Sequence, residues 1–173
     1  HGVIIDVDVC LSAPLALWFS GIGDLVSKLT AVADWKLAFH NRGEPVNDLA
    51  ALLSDSTVLQ FLSGPTHDAS GITLLGTALM LNGIAMEITG SSRPASGSEH
   101  LVSHALDAIS ARPRLHGLQV GMASYIVGRL QGGNSASVID RLFRETGFWD
   151  TVRSDPFSTA EWLEAVRIAP QMK

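Results

Sequence analysis

An all-α helical bundle is the fold this sequence predicts, on three observations. Apolar residues recur at helical spacing through most of the 173 residues, with alternation confined to the first nine. Glycine and proline fall between those runs as stops. With 46% hydrophobic and 17% charged residues, the chain can bury one sizeable core. No internal repeat is visible, so the bundle is not a solenoid.

The first segment is the exception. Val3-Ile4-Ile5-Asp6-Val7-Asp8-Val9 alternates and is β-branched, which predicts a strand. Nothing downstream offers it a partner, and a lone strand leaves its backbone groups unpaired. Residues 1–11 are therefore expected to be one leftover strand, the connection from a missing unit, or a strand that borrows a sheet from another chain. Residues 12–173 form the helical domain.

Ser12 as N-cap and Pro14 in the first turn open a short helix ending near Gly21. A long helix follows from Gly23 to Arg42, stopped by Gly43 and Pro45. Asn47 to Leu62 is the next, broken by Gly64-Pro65. Ala69 to Thr89, apolar on most faces, is expected to be the central buried helix. After a Ser/Gly/Pro loop come Ser98 to Ala111, ended by Arg112-Pro113, and Leu115 to Leu130, ended by Gly132-Gly133. Two amphipathic pieces close the chain, Ser135 to Thr146 and Ser158 to Ile168. Ala169 to Lys173 adds no clear closing element.

Charge and composition narrow the function classes. A net charge of −5 supplies no broad basic field, so neither nucleic acid nor an anionic membrane surface is an expected partner. The most apolar run, Ile72 to Met86, is interrupted by Thr73, Thr77 and Asn82 and closed by Glu87. It is shorter than the roughly 18 residues of a membrane span. Residues 2–9 carry two aspartates with no preceding basic stretch, unlike a secretory signal. Cys10 is the only cysteine, which excludes an internal disulfide, fits a cytoplasmic setting and reads as a small buried apolar side chain.

The chemistry concentrates after the loop. His100 and His104 lie i, i+4 on one helix face, with Cβ atoms about 5–6 Å apart. His116 opens the next helix, so three of six histidines fall within 17 residues. Imidazoles so grouped suit a divalent cation such as zinc, which takes nitrogen and carboxylate ligands and keeps a position open in catalytic sites. Asp24 follows Gly21-Ile22-Gly23 in the first turn of its helix, where a carboxylate is more often a cap than a ligand. His40 reads as a cation at a helix C-terminus and His67 as a loop residue.

The segments Gly21 to Lys28, Ala33 to Ala38, Ser92-Arg93-Pro94-Ala95-Ser96-Gly97-Ser98-Glu99-His100 and His116 to Gly121 resemble the glycerol-1-phosphate dehydrogenases. These belong to the superfamily of 3-dehydroquinate synthase, glycerol dehydrogenase and the iron-containing alcohol dehydrogenases. The resemblance covers nearly the whole chain but only the C-terminal helical domain of the family. It implies that Asp24, His100 and His116 hold Zn2+, with Ni2+ or Fe2+ as alternatives. Asp24 and His104 would touch the substrate, and His104 would also relay a proton. Lys28 and Arg93 become candidates for a substrate phosphate. The implied reaction is NAD(P)-dependent interconversion of sn-glycerol 1-phosphate and dihydroxyacetone phosphate, a step of phospholipid biosynthesis.

Gly132-Gly133-Asn134 follows a helix and not a strand, so it is no nucleotide-binding turn. The implied partners are thus a phosphorylated polyol or ketone, the N-terminal nucleotide-binding domain that would carry NAD(P), and, through an uncovered apolar face, a second copy in a homo-oligomer. Without the nucleotide-binding half the chain is expected to be inactive. The alternatives are a 3-dehydroquinate synthase-like or polyol dehydrogenase-like domain, or a non-catalytic helical interaction module.

Overall fold

A computed structural model describes residues 2–112 and 114–172, and among them lie nine α-helices and one 3₁₀ turn. Pro113, expected to break the chain before His116, lies outside the described residues, as do His1 and Lys173. The helices are α1 (Val7–Ser12), α2 (Leu15–Arg42), α3 (Asp48–Leu62), α4 (Ala69–Thr89), α5 (Ser98–Ile109), α6 (His116–Gln131), α7 (Ser135–Thr146), α8 (Phe148–Ser154) and α9 (Thr159–Ile168). Their starts follow capping chemistry: Asn47, Asp68 and Ser158 accept from the backbone N–H groups of Ala50, Gly71 and Glu161. Gly43 and Gly90 stop α2 and α4 with φ of 68° and 61°, a left-handed geometry that suits glycine.

Four expectations are corrected. The N-terminal strand is absent among the described residues. Asp6 accepts from the Val9 N–H and starts α1, whose Val7 and Leu11 pack on the core. With no partner strand, a capped turn against α4 satisfies this backbone better than an unpaired extension. Secondly, Gly21 and Gly23 do not end a helix, because α2 runs unbroken for 28 residues. Asp24 accordingly sits in its third turn and caps nothing. Thirdly, the central helix is α2 rather than α4. The side chains of Trp18, Phe19, Ile22, Leu25, Val26, Val32 and Trp35 are buried around α2. α4 lies to one side against α1 and α3, with Met80, Ile84 and Ile88 exposed. Low polarity all round a helix says how apolar it is, not how many neighbours it has. Lastly, Cys10 is exposed, since α1 is a single short surface helix.

Three apolar clusters hold the helices together. The largest joins α2 to α3, α4, α7 and α8 through residues such as Ile22, Leu25, Phe61, Leu142, Phe143 and Phe148. A second binds α5, α6 and α9 through Val102, Leu106, Ala123 and Trp162. The third packs Val32 and Trp35 against Ala50, Ala51 and Ala85. By length and composition α2 and α4 could each cross a membrane. α2, however, buries most of its surface here and carries Asp24, Lys28, Asp34 and Lys36.

Candidate metal centre

The centre forms where α2, α5 and α6 converge, and glycine sets how closely α2 and α6 approach. A Cβ on Gly23 would lie 1.9 Å from the Gly117 carbonyl oxygen, and one on Gly117 would lie 1.8 Å from that of Ser20. The two backbones therefore touch, and the Gly117 N–H donates to Ser20 Oγ at 3.1 Å. Asp24 follows one of these glycines and His116 precedes the other, so the contact that joins the helices also brings the two side chains together.

α2 also fixes the start of α5. Asp34 accepts from the Ser98 N–H at 2.7 Å and from Ser98 Oγ at 2.6 Å, capping α5 from another helix. Gln131, at the end of α6, donates to Asp34 and to the Thr30 carbonyl. His100, two residues beyond Ser98, is held on this frame.

Asp24, His100 and His116 bring one ligand atom each to within 4.8 Å of one another. His100 Nε2 lies 3.3 Å from Asp24 Oδ1. On the other side of that ring, Nδ1 lies 2.9 Å from Glu99 Oε1. Glu99 is fully buried, and it also accepts from the Gly97 N–H and from Thr30 Oγ1. His116 Nδ1 is 3.1 Å from Ser103 Oγ. Both Nδ1 atoms are thus engaged by the protein, which leaves each Nε2 for the centre. His104 completes a triangle of rings, its centroid 6.5 Å from that of His100 and 6.4 Å from that of His116.

The electrostatics suit a cation. Burial disfavours the charged form of Asp24, but the hydrogen bond from His100 and the Lys28 ammonium hold its carboxyl well below the usual carboxylate range. Burial disfavours the charged form of His100, but its hydrogen bonds to Asp24 and Glu99 raise its pKa, so a metal ion competes with a proton for its Nε2. Burial and the neighbouring His100 push His116 down, which keeps a lone pair on its ring. One carboxylate and two imidazoles make a three-ligand set with room for solvent or substrate, because Asp24 is 31% exposed and His116 faces solvent. This donor set accepts several divalent ions.

The two candidate phosphate contacts are engaged elsewhere. Lys28 Nζ is buried and lies 3.5 Å from Asp24 Oδ1, 3.1 Å from Ser27 Oγ and 3.1 Å from the Ala95 carbonyl. Those three acceptors match its three hydrogens. Burial lowers its pKa, opposed by Asp24 and Glu99. Arg93 holds Glu44 through both Nε and Nη2, each at 2.6 Å.

Sequence reasoning passed over Glu99, Ser103 and Gln119. The signal available was position: Glu99 adjoins His100, while Ser103 and Gln119 each follow a histidine by three residues, one helical turn away.

No protein-family model matches the chain. Curated relatives do. The chain is 42% identical over 145 residues to a protein of Methanosarcina acetivorans, covering 81% of this chain and 40% of the relative. It is 38% identical over 180 residues to one of Staphylothermus marinus, covering 100% and 50%, and 37% identical over 175 residues to one of Hyperthermus butylicus, covering 99% and 50%. Each is named glycerol-1-phosphate dehydrogenase (NAD(P)+). The chain spans about half the length of the relatives it matches.

Proposed function

Because the chain is homologous to glycerol-1-phosphate dehydrogenases over about half their length, we propose that it is the metal- and substrate-binding part of an NAD(P)-dependent oxidoreductase. The substrates are sn-glycerol 1-phosphate and dihydroxyacetone phosphate. The observation that carries this reading is the convergence of Asp24, His100 and His116, from three helices, on one partly open point.

Asp24, His100 and His116 would hold Zn2+, which when bound would supply Lewis-acid polarisation of the substrate's secondary oxygen. The remaining chemistry falls to the chain's own groups. Asp24 keeps its negative charge across the working pH range. Glu99 orients His100, and Lys28 balances the Asp24 carboxylate without leaving its buried seat. His104 stands beside the ligand rings, where an imidazole can take the hydroxyl proton as the alcohol is oxidised and return it in the reverse direction. Binding of NAD(P) falls to a nucleotide-binding unit outside these 173 residues. With Lys28 and Arg93 engaged, part of the phosphate recognition belongs to that unit as well.

The test is metal stoichiometry. After treatment with EDTA, the chain should take up one equivalent of zinc in calorimetric titration, and His100→Ala and Asp24→Ala should take up none. A folded chain that binds no zinc, or binds it equally after both substitutions, overturns the reading. On the complete enzyme, His104→Ala should lower kcat while one zinc remains bound.

A further inference from the structure

Behind His116 runs a polar chain whose direction is fixed by chemistry. Asp107 is exposed on α5, and as a carboxylate it only accepts hydrogen bonds. Gln119, on α6 and fully buried, must therefore turn its amide nitrogen toward Asp107, and it does so at 2.9 Å. Its carbonyl oxygen then faces Ser103, which donates to it at 2.6 Å. A hydroxyl has one hydrogen. Once Ser103 has given it to Gln119, its oxygen can only accept from the ring nitrogen 3.1 Å away, His116 Nδ1.

We propose that Asp107, Gln119 and Ser103 act as positioning residues that lock His116 in the Nδ1–H tautomer, so that its Nε2 lone pair is the one presented to the centre. The outer end of this relay lies at the surface and its inner end at a candidate ligand. Ser103 and Asp107 stand i, i+4 on α5, and His116 and Gln119 stand i, i+3 on α6, so the relay also ties the two helices together. Partners of this kind set which nitrogen a histidine offers, and their removal typically weakens metal binding by about tenfold to a hundredfold. The consequence for affinity rests on the metal-centre reading above, whereas the tautomer itself does not.

The experiment therefore has two arms. In the first, long-range proton–nitrogen correlations on the metal-free chain at pH 8 should show His116 Nδ1 as the protonated nitrogen. Ser103→Ala should shift the ring toward the Nε2–H form. A wild-type ring already protonated at Nε2 overturns the proposal. In the second arm, zinc affinity should fall about tenfold to a hundredfold in Ser103→Ala. Asp107→Ala should also weaken binding, with a lower melting temperature because the buried Gln119 amide loses its acceptor, and Asp107→Asn should restore both by keeping an acceptor. Wild-type zinc binding left unchanged by Ser103→Ala and Asp107→Ala overturns the relay. If wild type binds no zinc while His116 still carries its proton on Nδ1, the metal reading fails and the relay stands.

Discussion

Replacing Gly23 by alanine adds one methyl group where α2 meets α6. The new Cβ would lie 1.9 Å from the Gly117 carbonyl oxygen and 3.2 Å from the Phe148 ring. Ordinary contact needs 3.4 Å or more, so the helices must part by about 1.5 Å. The obstacle is backbone, which cannot swing aside. Overpacking of this kind costs about 1–3 kcal/mol, and the upper part of that range applies here. The better helix propensity of alanine returns up to about 1 kcal/mol. A net loss of about 2 kcal/mol in a domain of this size lowers Tm by about 4–8 °C.

The effect on the centre should be larger than the effect on stability. Asp24 follows Gly23 directly, and a bound metal tolerates ligand displacements of only about 0.2 Å. Zinc affinity should therefore collapse while the chain still folds. Thermal melts and zinc titration of the same sample read both quantities. Gly83→Ala is the control, because a Cβ there meets nothing within 4 Å on exposed α4. It should stabilise the fold by about 0.5–1 kcal/mol and leave zinc binding alone. If Gly23→Ala melts at or above the wild-type temperature with full zinc affinity, the close helix contact is not what sets the site.

Three further outcomes are expected. Glu99→Ala leaves the Gly97 N–H and the Thr30 hydroxyl without their buried acceptor, and should cost about 2–4 kcal/mol in urea denaturation; an unchanged midpoint refutes the role given to that carboxylate. Zinc at a hundredfold excess over Kd should stabilise the chain by about 2.7 kcal/mol, and EDTA should reverse the gain; a Tm indifferent to zinc counts against a folded-state site. Asp68 caps α4, and the Gly71 N–H and the Thr66 hydroxyl hold its pKa below the ordinary 3.8. Its contribution is present above pH 3.8 and lost as pH falls through the lowered folded value. The stability gap between wild type and Asp68→Asn, which keeps the cap without the charge, should narrow over that range; a constant gap shows that the charge adds nothing.

The parts of the fold legible in the sequence were those governed by local chemistry. α4 begins after Asp68 and ends before Gly90 because an Asx cap and a left-handed glycine act within a few residues. Gly21 and Gly23 misled for the opposite reason. Their lack of a side chain serves Leu75 and Gly117, and those neighbours come from helices far along the chain. α8 was missed because seven residues after Gly147 carry too little periodicity to register. At the site, the histidine grouping could be read from spacing. Asp24 entered as a ligand only through resemblance, since its partners His100 on α5 and His116 on α6 are 76 and 92 positions away. Lys28 is a candidate phosphate contact by resemblance, and nothing in its local sequence reveals that Ala95 and Asp24 enclose it.

One stripe of α2 reaches every part of the centre. Ser20 and Gly23 meet α6, Asp24 faces the imidazoles, Ser27 and Lys28 hold the loop before α5, and Asp34 caps α5. Each helical residue advances the chain by about 1.5 Å and turns it through about 100°. A single inserted or deleted codon between Ser20 and Asp34 would throw one end of this stripe out of phase with the other, and no adjustment elsewhere could bring both back. Substitutions along α2 can be absorbed one at a time, but its length over this stretch cannot drift.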